Sequence, residues 1–258
     1  MLYIIQTALQ LGCVYSFVAL ALFLSYRILD IADLTTDGCF VLGMAVSVSC
    51  CAGGHPFAGV ILGMIAGGCA GCVTAILQTR LGVPSILAGI VTNTGLYTIN
   101  LMAMGWSSNI SLLKNETIFS LFKKTNIGGA WNTIILAGMI ALCAMVLMKW
   151  FLSTRLGLSI RATGDNRDMV SASSINPRFT ILVGLVVANI FTELSGALAG
   201  QLQKSADINA GSGIVTIGLA TLIIGETLIQ GRKSIGRNIC ACLVGNIVYR
   251  CIYAFVLQ

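Results

Sequence analysis

This chain has little charge. Of its 258 residues, 9% are Asp, Glu, Lys or Arg and 57% are hydrophobic, against roughly 25% charged residues in a typical soluble domain. So few polar groups cannot coat a core in water, which excludes a soluble globular protein. Histidine occurs once, as His55 in a turn beside Pro56, so a nucleophile–histidine–carboxylate set has almost nothing to draw on. No pair of the ten cysteines has zinc-ligand spacing with a histidine, and most lie inside apolar runs. They read as small packing residues, with Cys50 and Cys51 near a loop as redox candidates. A GxxxxGK[ST] phosphate loop is missing, so the chain cannot hydrolyse ATP by that route. No catalytic residue, no metal ligand and no cofactor of its own is expected. The first residues lack a basic n-region and a small-residue cleavage site, so Leu2 onward reads as a permanent span.

What is present is a succession of apolar runs. A bilayer-crossing helix needs roughly 20 such residues. Cut on that basis, the chain has spans at about Leu2–Tyr26, Gly38–Cys51, Phe57–Leu77, a fourth ending near Trp106, Trp131–Leu152, Phe179–Ala199, Ile214–Ile229 and Asn238–Leu257. The expected fold is an all-α polytopic bundle of about eight spans. The second and seventh runs are short enough to be broken or re-entrant. Gly63, Gly67 and Gly71 recur at four-residue intervals, a GxxxGxxxG face for close helix contact. One membrane domain over 1–258 is expected.

Between the fifth and sixth runs lies GLSIRATGDNRDMVSASSIN, Gly157 to Asn176. Arg161, Asp165, Asn166, Arg167, Asp168 and Asn176 crowd a segment that membrane proteins keep only where they meet water or another protein. Asp165 and Asn166 suit a helix N-cap, so a short surface helix over Asn166–Ser174 is expected. Placing it inside gives ten inside cations: Arg27, Arg80, Lys149, Arg155, Arg161, Arg167, Arg178, Arg232, Lys233 and Arg237. Lys114, Lys123, Lys124 and Lys204 fall outside, and the bias puts both termini outside. The net charge of +6 thus reports orientation rather than nucleic-acid binding.

Ionisable and amide groups inside the spans are costly to bury and tend to be functional. Asp33, Thr35, Thr36 and Asp37 crowd the start of the second span, where Asp33 also reads as an N-cap. DINAGSG, from Asp207 to Gly213, echoes DLTTDG, from Asp33 to Gly38, as an inverted repeat of broken helices would. Asn93 and Glu226 are further candidates for lining a polar path. Glu193 and Arg250 lie at similar depth along the sixth and eighth spans. They are read either as a salt bridge locking two helices or as contacts for the charged ends of an amino acid.

The order Gly157, Arg161, Ala162, Gly164, Asn166, Ile175 resembles the G-x-x-x-R-A-x-G-x-N…I segment of membrane permeases from bacterial ABC importers. The group is that of the branched-chain amino acid and ribose permeases. YRILDIADLTTDGCFVLG (Tyr26–Gly43) and GSGIVTIGLATLIIG (Gly211–Gly225) resemble its early broken helix and its late Gly-rich helix. Met169, Val170 and Ser174 stand where the family usually has Ala, Ala and Gly. The resemblance implies a coupling element over 155–178, with Asp165, Arg167 and Asp168 joining the matched residues at the docking surface. It also implies cytoplasmic ATPase subunits holding ATP and Mg, an extracytoplasmic solute-binding protein, a second permease copy or homologue, and residence in the bacterial cytoplasmic membrane. Within the family, DLTTDG looks closest to tryptophan/tyrosine-type importers. The alternatives are a ribose- or nucleoside-type importer and a proton-coupled secondary carrier using Asp33, Asp37 or Glu193.

Overall fold

The computed structural model describes residues 2–113, 115–124, 131–229 and 234–256. Of the residues named above, Lys114, Arg232, Lys233 and Leu257 lie outside that set. Helix α1 (Leu2–Leu22) runs into a π-helical turn, Phe23–Ile28, and is followed by α2 (Thr36–Ala52), α3 (Pro56–Thr79) and α4 (Ser85–Ala103). After the short strand β1 (Asn109–Ser111) come α5 (Ile118–Lys124), α6 (Asn132–Ser153), α7 (Arg155–Asp165) and α8 (Arg167–Ala172). The chain closes with α9 (Pro177–Gln203), β2 (Ser205–Asp207), α10 (Ile214–Ile229) and α11 (Ile235–Val256). Among the described residues, six helices are long and apolar enough to cross a membrane, and α2 and α10 are shorter apolar helices. The eight expected runs are all present.

The small residues decide how the helices meet. On α3, a Cβ at Gly67 would lie 2.8 Å from the Asn189 carbonyl oxygen, and one at Gly71 would lie 2.9 Å from that of Leu185. The four-residue glycine face therefore lets the α3 backbone lie directly on α9. Gly63 faces the crossing of α2 and α9. Pro56 and Pro177 occupy the first turns of α3 and α9, where a missing N–H removes no helical bond. α2 and α9 form the centre, with α1, α10 and α11 on one flank and α3 and α4 on the other.

Local chemistry sorts the ends of the bundle. β1 pairs antiparallel with β2, Asn109 opposite Asp207, and Asn115 Nδ2 donates to the Ala52 carbonyl 3.0 Å away. At the other end Arg27, Arg161, Asp165, Ser234 and Asn238 line one cleft. This end carries most of the cations, the end that the charge bias expects inside.

The polar segment holds the expected short helix as α8, with a second helix, α7, before it. The two meet at Asn166, whose backbone N–H closes α7 on Ala162 and whose side chain opens α8. Helix α7 begins at Arg155 because Thr154 caps it, its hydroxyl accepting from the Gly157 amide. Asp165 ends α7 rather than capping the next helix.

Candidate functional site

α2 and α10 both begin inside the bundle. The Asp37 carboxylate accepts from the amides of Gly213, at 3.4 Å, and Val215, at 2.9 Å. A Cβ at Gly211 would overlap the Asp37 carbonyl oxygen. The two echoing motifs, DLTTDG and DINAGSG, are thus brought face to face. From this meeting point α2 leads to the end of the bundle that holds β1 and β2, and α10 to Glu226, beside Arg27. Two helices starting in the interior leave polar backbone there, which a membrane bundle tolerates only around a cavity or in protein contact.

There is such a cavity. It has a volume of about 320 Å³ and is lined by Asp37, Gly38, Val41, Asn93, Thr94, Tyr97, Asn100, Ile208, Asn209, Gly211 and Ser212. That is near the lower end of the ~300–1,000 Å³ common for small-molecule sites. Asn100 is 2% exposed; its Nδ2 donates to the Gly38 carbonyl, 3.1 Å away, and its Oδ1 has no partner. Among the described residues, the lining contains one carboxylate and no basic side chain. Asp37 and Asn93 were expected here. Asn209 and Ser212 come from the DINAGSG motif, whereas Tyr97 and Asn100 carry no sequence signal beyond their helical spacing with Asn93 along one face of α4.

Asp33, Thr35 and Thr36 lie beside this cavity without lining it. Asp33 Oδ1 accepts from the Thr35 amide at 2.9 Å and from the Thr35 hydroxyl, while Thr36 Oγ1 donates to the Asp33 carbonyl. This is a turn ahead of α2. Thr35, not Asp33, occupies the cap position. Asp33 Oδ2 accepts from Asn189 Nδ2 at 2.9 Å, tying the turn to the middle of α9.

Glu193 and Arg250 do not pair. The Glu193 side chain is fully buried against Gly63 and Gly67 of α3, and neither carboxylate oxygen has a hydrogen-bond partner. Arg250 lies over the Tyr15 ring, its guanidinium carbon 3.8 Å from the centroid. Equal depth along two helices says nothing about which way each faces. α11 packs on α1 and α10, whereas Glu193 points from α9 into α3. Glu226 is likewise away from the cavity, 3.1 Å from Arg27 Nε in a partly exposed ion pair.

The polar α7–α8 segment sits on the rest of the bundle through its small residues. Gly157 packs on the backbone of Phe151 and Leu152, and Gly164 on the Ile28 carbonyl at the end of the π-turn. Thr163 Oγ1 lies 2.8 Å from Thr180 Oγ1, joining α7 to α9. Arg161 faces the cleft shared with Arg27, and Ala162 and Ile175 are half-buried. Asp165, Asn166, Arg167 and Asp168 are exposed. Asn166 Oδ1 accepts from the amides of Asp168 and Met169, both at 3.0 Å. Of the three departures from the family's pattern, Met169 is exposed and Val170 buried. Ser174 has φ 61°, a left-handed conformation that explains a usual Gly at this position.

Residues 4–258 match the family model described as the branched-chain amino acid transport system permease component. The chain belongs to this permease family. It is 32% identical over 246 residues, 95% of its length and 80% of the relative's, to the tyrosine transport system permease protein of Clostridioides difficile. It is 29% identical to the D-allose transport system permease protein of Escherichia coli K12, over 84% of this chain and 64% of that protein. The ribose import permease protein of the same bacterium is 24% identical over 70% of the chain. No solved structure matches. A permease of this family is a multi-pass membrane transport subunit and not an enzyme.

Proposed function

We propose that this permease imports a small solute, an amino acid and aromatic by preference, with the cavity around Asp37 as the waist of its pathway. The cavity carries the reading. A lone carboxylate, an unpartnered amide oxygen on Asn100 and the Tyr97 ring offer acceptors and a π-face to an ammonium group. The 32% identity to a tyrosine transport permease over 95% of the chain favours the same substrate class. The sugar and nucleoside relatives support the second reading, a ribose- or nucleoside-type importer, over smaller shares of the chain.

The energy comes from ATP and Mg held by two cytoplasmic ATPase subunits, docked on the exposed residues Asp165–Asp168. A second permease copy or homologue completes the pathway, and an extracytoplasmic binding protein delivers solute in the bacterial cytoplasmic membrane. A push on α7 reaches Ile28 through Gly164. From there the chain leads through Asp33 to Asp37, which holds the start of α10. Alternating access follows if the ATPases bias α7 and α8 between two positions, because α2 and α10 share their starting point with the cavity. The test of substrate class is the melting temperature of the cognate binding protein with tyrosine, tryptophan, leucine, ribose and adenosine. A rise with an aromatic amino acid supports the reading; a rise with ribose or adenosine alone transfers it to the second.

A further inference from the structure

A second cavity, of about 480 Å³, opens at the cytoplasmic end between α8 and the turn joining α3 to α4. Its polar lining includes Gln78, Ser85, Arg167, Ser171, Asn176 and Arg178, and no acidic residue lines it. Neither arginine forms an ion pair among the described residues. Asp165 and Asp168, the acidic neighbours on the coupling segment, do not reach the cavity. Gln78 is half-buried, and its Nε2 has no hydrogen-bond partner. The first turn of α4 opens here behind Pro84 with no side-chain cap, so its amides are unclaimed by any side chain, whereas α9 is capped by Asn176. Two arginines, a glutamine whose amide donor has no partner and the positive end of a 19-residue helix therefore border one cavity that, among the described residues, no carboxylate lines. Such a set of donors is complementary to a phosphate group.

The geometry points to an anion site that takes a phosphate-bearing ligand. Its two sources at this depth are the headgroup of an anionic lipid of the cytoplasmic leaflet and a soluble phosphate. The ligand bridges Arg167 on α8 to the α3–α4 turn and to the start of α9. Occupancy clamps the outer half of the coupling segment to the bundle, so the phosphate supply sets how readily that segment moves. The binding does not depend on the coupling reading; only its regulatory consequence rests on that.

The full-length permease in phosphatidylcholine nanodiscs supplies the test, without the ATPase. Phosphatidylglycerol is added to the disc in one arm and inorganic phosphate to the buffer in the other. Melting temperature and thiol labelling of Ser171→Cys, in a chain stripped of other accessible cysteines, read occupancy. One arm raises the melting temperature and protects Cys-substituted position 171. Arg178→Gln weakens the effect by about tenfold or more, as loss of a charge-assisted hydrogen bond does, and Gln78→Leu weakens it less. Phosphatidylglycerol alone assigns the lipid; phosphate alone assigns the soluble ligand. Should Arg178→Gln fail to fold, protection of position 171 and its weakening in Gln78→Leu decide the matter. No effect in either arm, or effects indifferent to both substitutions, overturns the site.

Discussion

Replacing Gly164 with Ala separates transport from folding. A Cβ there would lie 2.8 Å from the Ile28 carbonyl carbon and overlap its oxygen, where non-bonded carbons rest about 3.5–4.0 Å apart. Both sides of the contact are backbone, so no side chain can swing away. Helix α7 must retreat by about 1 Å, with an overpacking penalty of ~1–3 kcal/mol. Since α7 lies at the end of the bundle, insertion and the packing of α2, α3 and α9 survive. The displaced helix no longer bears on the π-turn that leads to Asp33 and Asp37. Uptake should fall several-fold while expression and the level of membrane-inserted protein stay near wild type. Wild-type uptake by Gly164→Ala would refute this route from the coupling segment to the cavity.

Other changes test other parts. Asn166→Ala removes both acceptor bonds that open α8, a cap loss of about 1 kcal/mol, and should reduce ATPase stimulation together with uptake. Asp37→Ala removes the only carboxylate of the cavity and the side-chain acceptor for Gly213 and Val215, and should abolish uptake; Asp37→Asn, which keeps one acceptor oxygen, should restore folding yield without restoring affinity for an ammonium-bearing solute. Glu193→Gln should leave the melting temperature unchanged or higher, since neither carboxylate oxygen is bonded, and Glu193→Ala and Arg250→Ala should be additive in a double mutant, as expected of residues without contact. A non-additive pair would contradict the placement of Arg250 over Tyr15. Impermeant thiol reagents should label Leu113→Cys but not Asp168→Cys in intact cells, after background cysteines are removed; the reverse pattern inverts the topology.

Much of this architecture is legible in the sequence because lipid imposes length and periodicity. The eight apolar runs, the glycine face of α3 and the polar α7–α8 segment all follow from composition and spacing. The partner of the glycine face does not: nothing in Gly63, Gly67 and Gly71 names Asn189 and Glu193 of α9. Depth was readable for Glu193 and Arg250 and facing was not, so the salt bridge expected between them is absent. The cavity was half legible. Asp33, Asp37 and Asn93 stood out as polar residues in apolar surroundings, yet only two of them line it. Asn100, Tyr97, Asn209 and Ser212 enter through the meeting of α2, α4 and the segment before α10, a long-range arrangement that no local pattern encodes. Asn166 shows the opposite case. Its capping chemistry is local, and the sequence narrows the cap to Asp165 or Asn166.

ATP dependence tests the central claim most directly. Proteoliposomes containing the permease with its ATPase, loaded with Mg-ATP on the ATPase side and supplied with the binding protein on the other, should take up radiolabelled tyrosine. Uptake should require ATP hydrolysis and should be lost in Gly164→Ala. Uptake by the permease alone, driven by a proton gradient and indifferent to ATP, would contradict the account.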